Sequence, residues 1–373
     1  MIRRYLTIDA LTCLLGILLL EQGVGHDVCA QSKSGNGTFE SIPKPTPNNP
    51  MEPLATKLSL ARSAEFLDGT ALAWGKEKKC ASCHTSYPYL MARPTLGDPK
   101  APALLAMRKF FETRVSGWDE GGQGAGLPEG TEGVTEVVAT AATLAFHDAA
   151  STGKLHPLTR TALDRMWILQ QKDGSWTWNQ HRLPPQEYDD YYGAVYAALG
   201  VGHAPEQYAH SDGAKKGLAR LKDYFKRNPP PNLHHTIFLM WASLKLDGLM
   251  LPAERERTIK ELLVLQRVDG GWNLPSLGDW RRRDGTLNDP KGPSDGYATG
   301  LVLLVLQKAG VPVANEPMRR GVSWLRTNQR ESGRWFTRSV NADRAHYLTN
   351  AGTAYAVMAL QAIDTPVQHP AQK

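Results

Sequence analysis

Two cysteines and a histidine form the most distinctive cluster of reactive side chains in this sequence. Cys80 and Cys83 are separated by two residues, and His84 follows directly, within 79-KCASCH-84. At this spacing two thiols can bond the two vinyl groups of a haem while the imidazole ligates the iron from the same side. The cluster therefore predicts a covalently bound haem c, held by Cys80 and Cys83, with His84 as an iron ligand.

Three other interpretations of the same residues stay open. A zinc site could use both thiols and the imidazole, but it would need a fourth ligand. The two cysteines could instead form a disulfide, or the segment could only brace a turn. The second axial ligand of a haem is also open, with Met91, His234 and His235 as candidates. Six-coordinate iron would favour electron transfer, whereas five-coordinate iron would favour ligand binding or peroxide chemistry.

The N-terminal residues predict export. Arg3 and Arg4 precede the apolar run 11-LTCLLGILLL-20, and Val28-Cys29-Ala30 offers small residues for cleavage. We interpret residues 1–30 as a signal peptide, which places the protein in the bacterial periplasm or outside the cell, without a transmembrane span in the mature chain. Cleavage would leave Cys80 and Cys83 as the mature chain's only cysteines.

Composition and charge narrow the class of protein further. The formal net charge is +6, and the basic residues are scattered, so no nucleic-acid partner is expected. Residues 31–53 are Pro-rich and lack hydrophobic periodicity, which predicts a disordered leader. We expect one domain over residues 54–365 and a short tail over residues 366–373.

A sequence repeat organises the predicted domain. The segments that fit Gln-x-x-[Asp/Ser]-Gly-x-Trp are 170-QQKDGSW-176, 266-QRVDGGW-272 and 329-QRESGRW-335. Each follows a run with apolar residues at helical spacing and precedes a run of small, nearly uncharged residues. The glycine of each segment is expected to end the preceding helix in a left-handed C-cap.

The same alternation extends to the rest of the domain and predicts its architecture. Together with the weaker pairs that begin at residues 58, 101 and 213, it gives about six hairpins of one amphipathic and one apolar helix. A linear stack of helix pairs is one arrangement. The alternation favours another, a closed all-α ring of the α/α-toroid (barrel) type, with apolar inner helices around one axis and amphipathic outer helices.

The repeat resembles the QW-type repeat of squalene–hopene and other terpene cyclases, a group that extends to prenyltransferase β-subunits and related α/α toroids. The resemblance covers the chain from about Leu54 onward and implies the same fold. It also implies that the Gln and Trp of each repeat pack against neighbouring helix ends. The Cys-x-x-Cys-His motif, which resembles that of c-type cytochromes, would be an insert at residues 80–84 of the first hairpin.

In such a toroid, the N-terminal ends of the inner helices surround the mouth of a central cavity. The polar side chains expected at this rim are His84, Glu136, Asp189, Asp190, His234, His235, Asp295 and Asn350. Carboxylates at helix starts ordinarily cap free N–H groups. Their convergence on one rim would nevertheless form a polar ligand pocket.

One segment of this rim carries a possible catalytic resemblance. The residues 187-EYDD-190 resemble the Asp-x-Asp-Asp motif with which cyclases protonate an alkene, although Glu187 replaces the first Asp. The resemblance implies Asp189 as the acid, with Asp190 beside it. That reaction needs a protonated carboxyl group beside a deep aromatic cavity. Tyr191, Trp241 and Tyr297 would line the cavity.

Three functions follow from these observations. The first is an exported toroid that covalently binds haem c and either exchanges electrons with a partner protein or binds a ligand at the iron. The second is an enzyme resembling a terpene cyclase or a polysaccharide lyase, whose carboxylates act on a hydrophobic or glycan ligand in the central cavity. The third is a non-catalytic binding scaffold. The sequence leaves open whether the protein is an enzyme.

Overall fold

The computed structural model describes residues 43–118 and 130–364, and its regular structure there is helical. The expected signal peptide, the leader up to residue 42 and the C-terminal tail lie outside the described residues. The α-helices are α1 (Leu60–Lys78), α2 (Ser86–Ala92), α3 (Pro102–Gly117), α4 (Thr131–Ser151), α5 (Pro157–Ile168), α6 (Asp190–His203), α7 (Asp212–Arg227), α8 (Leu233–Ser243), α9 (Pro252–Val264), α10 (Gly296–Lys308), α11 (Glu316–Thr327) and α12 (Leu348–Asp364). The all-α class is therefore confirmed. Among these helices none is both long enough and apolar enough to cross a membrane.

The helices alternate between an outer and an inner position, as the sequence pattern predicts. The even-numbered helices contact one another in the order α2, α4, α6, α8, α10 and α12, and α12 contacts α2 in turn. This closed circuit of helix contacts is called the inner ring below. Burial follows the same division, because α10 is buried from Gly296 to Leu306 whereas the amphipathic α7 and α11 each bury one face.

The three repeat loops share one set of hydrogen bonds. The indole N–H of Trp176 donates to Met166 O at 2.7 Å, and Trp272 and Trp335 make the equivalent bond ten residues back. In each loop the Gln side chain donates to the carbonyl of the loop glycine and to a carbonyl at or near the next outer helix. Each loop therefore joins two neighbouring outer helices through hydrogen bonds.

The repeat glycines adopt the predicted conformation at a different place. Gly174, Gly270 and Gly333 have φ values of +101°, +98° and +92°. They do not cap the preceding helix, because α5 ends at Ile168, well before Gly174. They lie inside the loop, where a Cβ on Gly174 would be 2.2 Å from Arg220 O of the next outer helix. Close approach to a neighbouring backbone, together with positive φ, requires glycine here.

The ring closes where the last hairpin packs against the first, at a contact called the seam below. Residues 43–53, called the strap below, cover the seam. The expectation of a disordered leader does not hold for these residues. The guanidinium of Arg334, which is fully buried, donates to Thr46 O at 2.9 Å and to Asn48 Oδ1 at 2.7 Å. It also pairs with Glu52 at 2.9 Å. Because this buried cation finds its acceptors in the strap, the strap is part of the folded domain.

Candidate functional site

A cavity of about 920 Å³ opens beside His84 at the N-terminal ends of the inner helices. It is called the His84 pocket below. Its wall combines the end of α1, the loop before α6, the loop at residues 283–284 and the segment that leads into α12. Of the eight side chains predicted at the rim, only His84 lines this cavity, and most of the remaining lining comes from loops rather than from helix starts.

The imidazole of His84 is held by two hydroxyl groups. Its Nδ1 atom lies 2.7 Å from Thr85 Oγ1 and 3.0 Å from Ser82 Oγ. The backbone N–H of His84 also donates to Ser82 Oγ at 3.3 Å. Metal-ligating histidines generally have one ring nitrogen engaged by a hydrogen-bonding partner while the other binds the metal. Engagement of Nδ1 is therefore the orientation that suits Nε2 as a ligand atom.

Two aromatic rings fix the plane of the His84 side chain. Tyr347 stacks on the imidazole with ring centroids 4.8 Å apart and an interplanar angle of 7°. Trp74 meets the imidazole edge-on at 4.7 Å. His84 is half-buried, so one part of the ring faces the pocket while two aromatic rings restrict its rotation. Such packing pre-organises a ligand side chain.

The two cysteines of the motif are buried. Cys83 is a free thiol that lies against the carboxylate of Glu187, and burial together with this carboxylate raises the pKa of the thiol well above its ordinary value. Cys80 carries a disulfide bond. Since Cys83 is free, the two cysteines are not bonded to each other.

The zinc interpretation requires at least three converging ligands. Over residues 43–118 and 130–364, no three His, Cys, Asp or Glu side chains are grouped closely enough to hold a metal ion. Cys80, Cys83 and His84 therefore do not form a zinc site in this conformation. The arrangement separates the thiols, which lie in the interior, from the imidazole, which lies at the pocket.

Charged side chains from distant parts of the chain line the His84 pocket. Lys78, Arg283 and Arg344 contribute three cations, and Glu187 and Asp284 contribute two carboxylates. Sequence reasoning did not select the three cations, because nothing in their local pattern distinguishes them from other surface residues. Their convergence makes the pocket suitable for an organic ligand that carries carboxylate groups.

Among the predicted rim residues, Glu136 has a structural partner. Its carboxylate receives a hydrogen bond from Arg114 Nε at 2.9 Å, a second one from the same guanidinium, and one from Trp118 Nε1 at 3.0 Å. Both members of this ion pair are buried. Glu136 therefore neutralises a buried arginine and is not available as a free acid or base at the rim.

The predicted pair Asp189 and Asp190 stabilises the N-terminal end of α6 and the loop that precedes it. Asp189 accepts a hydrogen bond from Tyr192 N at 3.0 Å, and its Oδ1 lies 3.1 Å from His235 Nε2. Burial favours the neutral carboxyl, but the contacts with His235 and Tyr192 favour the ionised form more strongly, so the pKa of Asp189 is lowered. Asp190 accepts from Trp178 N at 2.7 Å and so stabilises the loop before α6.

The two neighbouring histidines form a buried network in the inner ring. His234 Nε2 lies 3.0 Å from the hydroxyl of Tyr297, and the rings of His234 and His235 are in contact. His235 Nδ1 lies 2.7 Å from Asn232 Oδ1. Both histidines are fully buried, and burial lowers the pKa of His234 well below its ordinary value. His234 is therefore a neutral core residue.

The last two rim residues serve different purposes. Asp295 caps α10 by accepting from Ala298 N at 2.9 Å and Leu274 N at 2.5 Å, and burial raises its pKa to about 6. Asn350 donates through Nδ2 to Thr85 Oγ1 at 3.0 Å. Asn350 thus contacts the residue that holds the imidazole of His84, which makes it the predicted rim residue most directly linked to the motif.

The structure also locates the candidates for a second iron ligand. Met91, His234 and His235 are buried in the core, and none of them lines the His84 pocket. The sulfur of Met91 accepts from the hydroxyl of Tyr196 at 3.2 Å. In this conformation these three residues have partners of their own and are separated from the cavity beside His84.

A second cavity, of about 1000 Å³, lies between the start of α8, the end of α9 and the loop of residues 275–290. Neither it nor the His84 pocket is lined by Tyr191, Trp241 or Tyr297. These three aromatic residues are instead buried in the core of the ring.

Comparisons with known proteins do not assign the chain to a family. No family model matches it, and no curated protein matches it. Among solved structures, a crystal structure of a protein from Actinoplanes covers 76% of this chain and 90% of its own, with a TM-score of 0.43 and 15% sequence identity. A likeness of this size supports no statement about family or function.

Proposed function

We propose that this is an exported protein that binds haem c covalently through Cys80 and Cys83, with His84 as an iron ligand, and that it exchanges electrons with a partner protein. The observation that carries this proposal is the position of His84. The residue that directly follows the two cysteines lines a cavity of about 920 Å³, while its Nδ1 atom is engaged by two hydroxyl groups.

The residues of the pocket fit the chemistry of a haem. Lys78, Arg283 and Arg344 provide cations for carboxylate groups such as the two propionates. Glu187 lines the pocket and lies against Cys83, so the thiol is one side chain away from the cavity. When bound, the haem would supply a one-electron redox centre.

The buried thiols set a condition on attachment. A thiol in contact with porphyrin vinyl groups cannot at the same time be enclosed behind Glu187, so bond formation requires that the loop of residues 79–85 be open. Cys80 must also be reduced. Because Cys80 carries a disulfide bond, a thiol reductant must break that bond before a thioether can form.

The chain's own residues would then orient and shield the site. Ser82 and Thr85 orient the imidazole, and Trp74 and Tyr347 restrict its rotation. These aromatic rings also exclude water from part of the iron ligand, which favours an electron-transfer site over an open hydrolytic one.

A cyclase-like reaction receives less support from the geometry. Protonation of an alkene needs a carboxyl group that is protonated before it acts, whereas the contacts of Asp189 lower its pKa and keep it ionised. The aromatic residues expected to line a substrate cavity are core residues. The catalytic assignment of Asp189 and Asp190 therefore stays an alternative to the haem proposal.

The test is to produce the exported protein in cells that also produce the haem-attachment machinery, and then to look for covalently bound haem. We expect a pyridine haemochrome spectrum typical of thioether-linked haem, and a haem mass that stays with the chain after denaturation. The Cys80→Ser/Cys83→Ser double variant should lose both signals. His84→Ala should keep the covalent haem while its visible spectrum changes.

The matched control is His156→Ala, which removes a partly exposed histidine at the start of α5 and should leave haem content and spectrum unchanged. A second cytochrome produced in the same cells shows that the attachment machinery works. If that cytochrome acquires haem and this protein does not, the proposal is wrong.

A further inference from the structure

The lining of the His84 pocket carries more positive than negative charge. It contains three cations and two carboxylates, and both carboxylates already contact a basic side chain outside the lining. Asp284 pairs with Arg282 at 3.4 Å, and Glu187 Oε2 lies 3.6 Å from His181 Nδ1. The contact with Glu187 raises the pKa of His181, which favours its charged form. The pocket therefore presents a positive potential to a ligand.

Arg283 and Arg344 lie on two loops that are joined at one wall of the pocket. The backbone N–H of Arg283 donates to Asn341 O at 2.7 Å, which fixes its loop against the segment that carries Arg344. The guanidinium of Arg283 donates to His181 O at 2.9 Å, and because this carbonyl is neutral the contact does not cancel the charge of Arg283. Both arginines are exposed. A planar guanidinium binds a carboxylate through two parallel hydrogen bonds, so this wall suits a carboxylate group.

The buried part of the pocket lining combines apolar side chains with one amide. Pro184 and Leu348 are buried there, and Gln186 is only 3% exposed. The carbonyl oxygen of Gln186 accepts from Trp178 Nε1 at 2.7 Å, which fixes the residue. Its side-chain amide lies near the hydroxyl of Tyr355, but Nε2 forms no hydrogen bond of ordinary geometry with any described residue. A buried donor of this kind is satisfied when a ligand supplies an acceptor.

We infer that the His84 pocket, with the loop of residues 79–85 closed, is a binding site for a sugar acid of the uronate type. Arg283 and Arg344 hold the carboxylate group, and Gln186 donates to a ring or hydroxyl oxygen of the sugar. The two carboxylates of the lining accept hydrogen bonds from sugar hydroxyl groups, and the apolar side chains contact the C–H face of the ring.

A sugar acid matches this lining better than a simple carboxylic acid does. The volume of about 920 Å³ lies within the range of roughly 300–1,000 Å³ that is typical of small-molecule sites. A uronate presents a carboxylate, several hydroxyl groups and an apolar face on one ring, whereas a simple acid leaves the amide and the apolar side chains unused. The inference is independent of haem, because Cys80, Cys83 and His84 supply none of these contacts.

The experiment is isothermal titration calorimetry of the full chain, produced without the haem-attachment machinery, with digalacturonate as the ligand. Two matched probes separate the contributions of charge and ring. The dimethyl ester of digalacturonate keeps both rings and loses both charges, and citrate keeps carboxylates and lacks a ring. We expect digalacturonate to bind, and each of the other two probes to bind at least about tenfold more weakly. Added salt should weaken the binding of digalacturonate.

Substitutions in the lining test the individual contacts. Arg283→Gln and Arg344→Gln should each weaken the binding of digalacturonate about 10- to 100-fold. Gln186→Leu should weaken binding without lowering the midpoint of thermal unfolding, because its amide donor has no protein partner to lose. The matched control is Arg326→Gln, which removes an exposed arginine that pairs with Asp364 in place of lining the pocket, and it should leave binding unchanged.

Several results would overturn the inference. It is wrong if digalacturonate does not bind, or if the ester or citrate binds as tightly. It is also wrong if Arg283→Gln and Arg344→Gln bind digalacturonate like the wild type, or if Arg326→Gln weakens binding as much as they do. A lower thermal midpoint in Gln186→Leu would contradict the role of Gln186 as a donor to the ligand. Covalent haem attachment is measured separately, so the haem proposal stands or falls on its own.

Discussion

Substitution of Gly333 by alanine tests whether the ring closes as the structure shows. Gly333 lies in the third repeat loop with φ of +92°, and a Cβ added to it would be 2.3 Å from Arg62 C and 2.6 Å from Ser63 N in α1. Both atoms belong to helix backbone, which cannot move aside as a flexible side chain can. The carbonyl of Gly333 also accepts a hydrogen bond from Ser63 Oγ at 2.7 Å, so the loop and α1 are joined at this point.

The expected cost has two parts. Left-handed backbone at a residue with a Cβ costs about 1–2 kcal/mol. Overlap with a packed neighbour adds about 1–3 kcal/mol. Gly333→Ala should therefore lower the free energy of unfolding by about 2–5 kcal/mol. Gly310 is the matched control, because its φ is +88° and no atom lies within 4 Å of its Cβ position. Gly310→Ala should lower the free energy of unfolding only by the cost of left-handed backbone, about 1–2 kcal/mol.

The assay is urea unfolding followed by far-ultraviolet circular dichroism, with both variants compared at a common m-value. Gly174→Ala provides a second comparison, since its Cβ would be 2.2 Å from Arg220 O at a loop away from the seam. The losses in free energy of unfolding caused by Gly333→Ala and Gly174→Ala should be similar, and both should exceed the loss caused by Gly310→Ala. If Gly333→Ala costs no more than Gly310→Ala, the loop does not approach α1 and the ring is open at the seam.

Two further predictions concern the rim carboxylates. Glu136→Gln removes the charge that neutralises the buried Arg114 and should lower the free energy of unfolding in urea by about 3–5 kcal/mol. Glu316→Gln, at an exposed ion pair with Arg319, should lower it by no more than about 1 kcal/mol. Equal effects would contradict the structural role of Glu136. Burial raises the pKa of Asp295 to about 6. Between about pH 4 and pH 6 this carboxyl therefore takes up a proton on folding, so its contribution to stability should fall as pH rises through that range and then stay level. Asp295→Asn should remove that slope in unfolding measured against pH, and an unchanged slope would contradict the burial of its carboxyl. Asp189, whose pKa is lowered, contributes stability that is present above about pH 4 and lost below it, so Asp189→Asn should lower stability at neutral pH and change the slope only below about pH 4.

The location of the helices could be predicted from the sequence because the signals are local. Apolar spacing places each outer and inner helix within a few residues of its observed bounds, and the repeat motif marks the loops between them. The left-handed glycines follow from the same motif. Their exact place does not, because the requirement for glycine comes from the backbone of a neighbouring outer helix, as at Gly174 and Arg220.

The role of each polar residue could not be predicted in the same way. Glu136, Asp189 and Asp295 look alike in the sequence, as carboxylates at or near helix starts. Their partners separate them: Arg114 neutralises the first, His235 lowers the pKa of the second, and a buried setting raises the pKa of the third. A pKa depends on neighbours that the chain brings together from distant positions.

The all-helical class, the repeat, and the two thiols and imidazole at the spacing of a haem attachment motif can be read from the sequence alone. These properties depend on residues within a few positions of one another. The meeting of Arg283, Arg344 and Tyr347 with His84 at one pocket becomes visible in the folded chain, as do the hydrogen bonds that link Asn48 to Asn350 and Asn350 to Thr85 across the seam. These contacts depend on ring closure, because residues 48 and 85 come close to residue 350 only when α12 packs against α2.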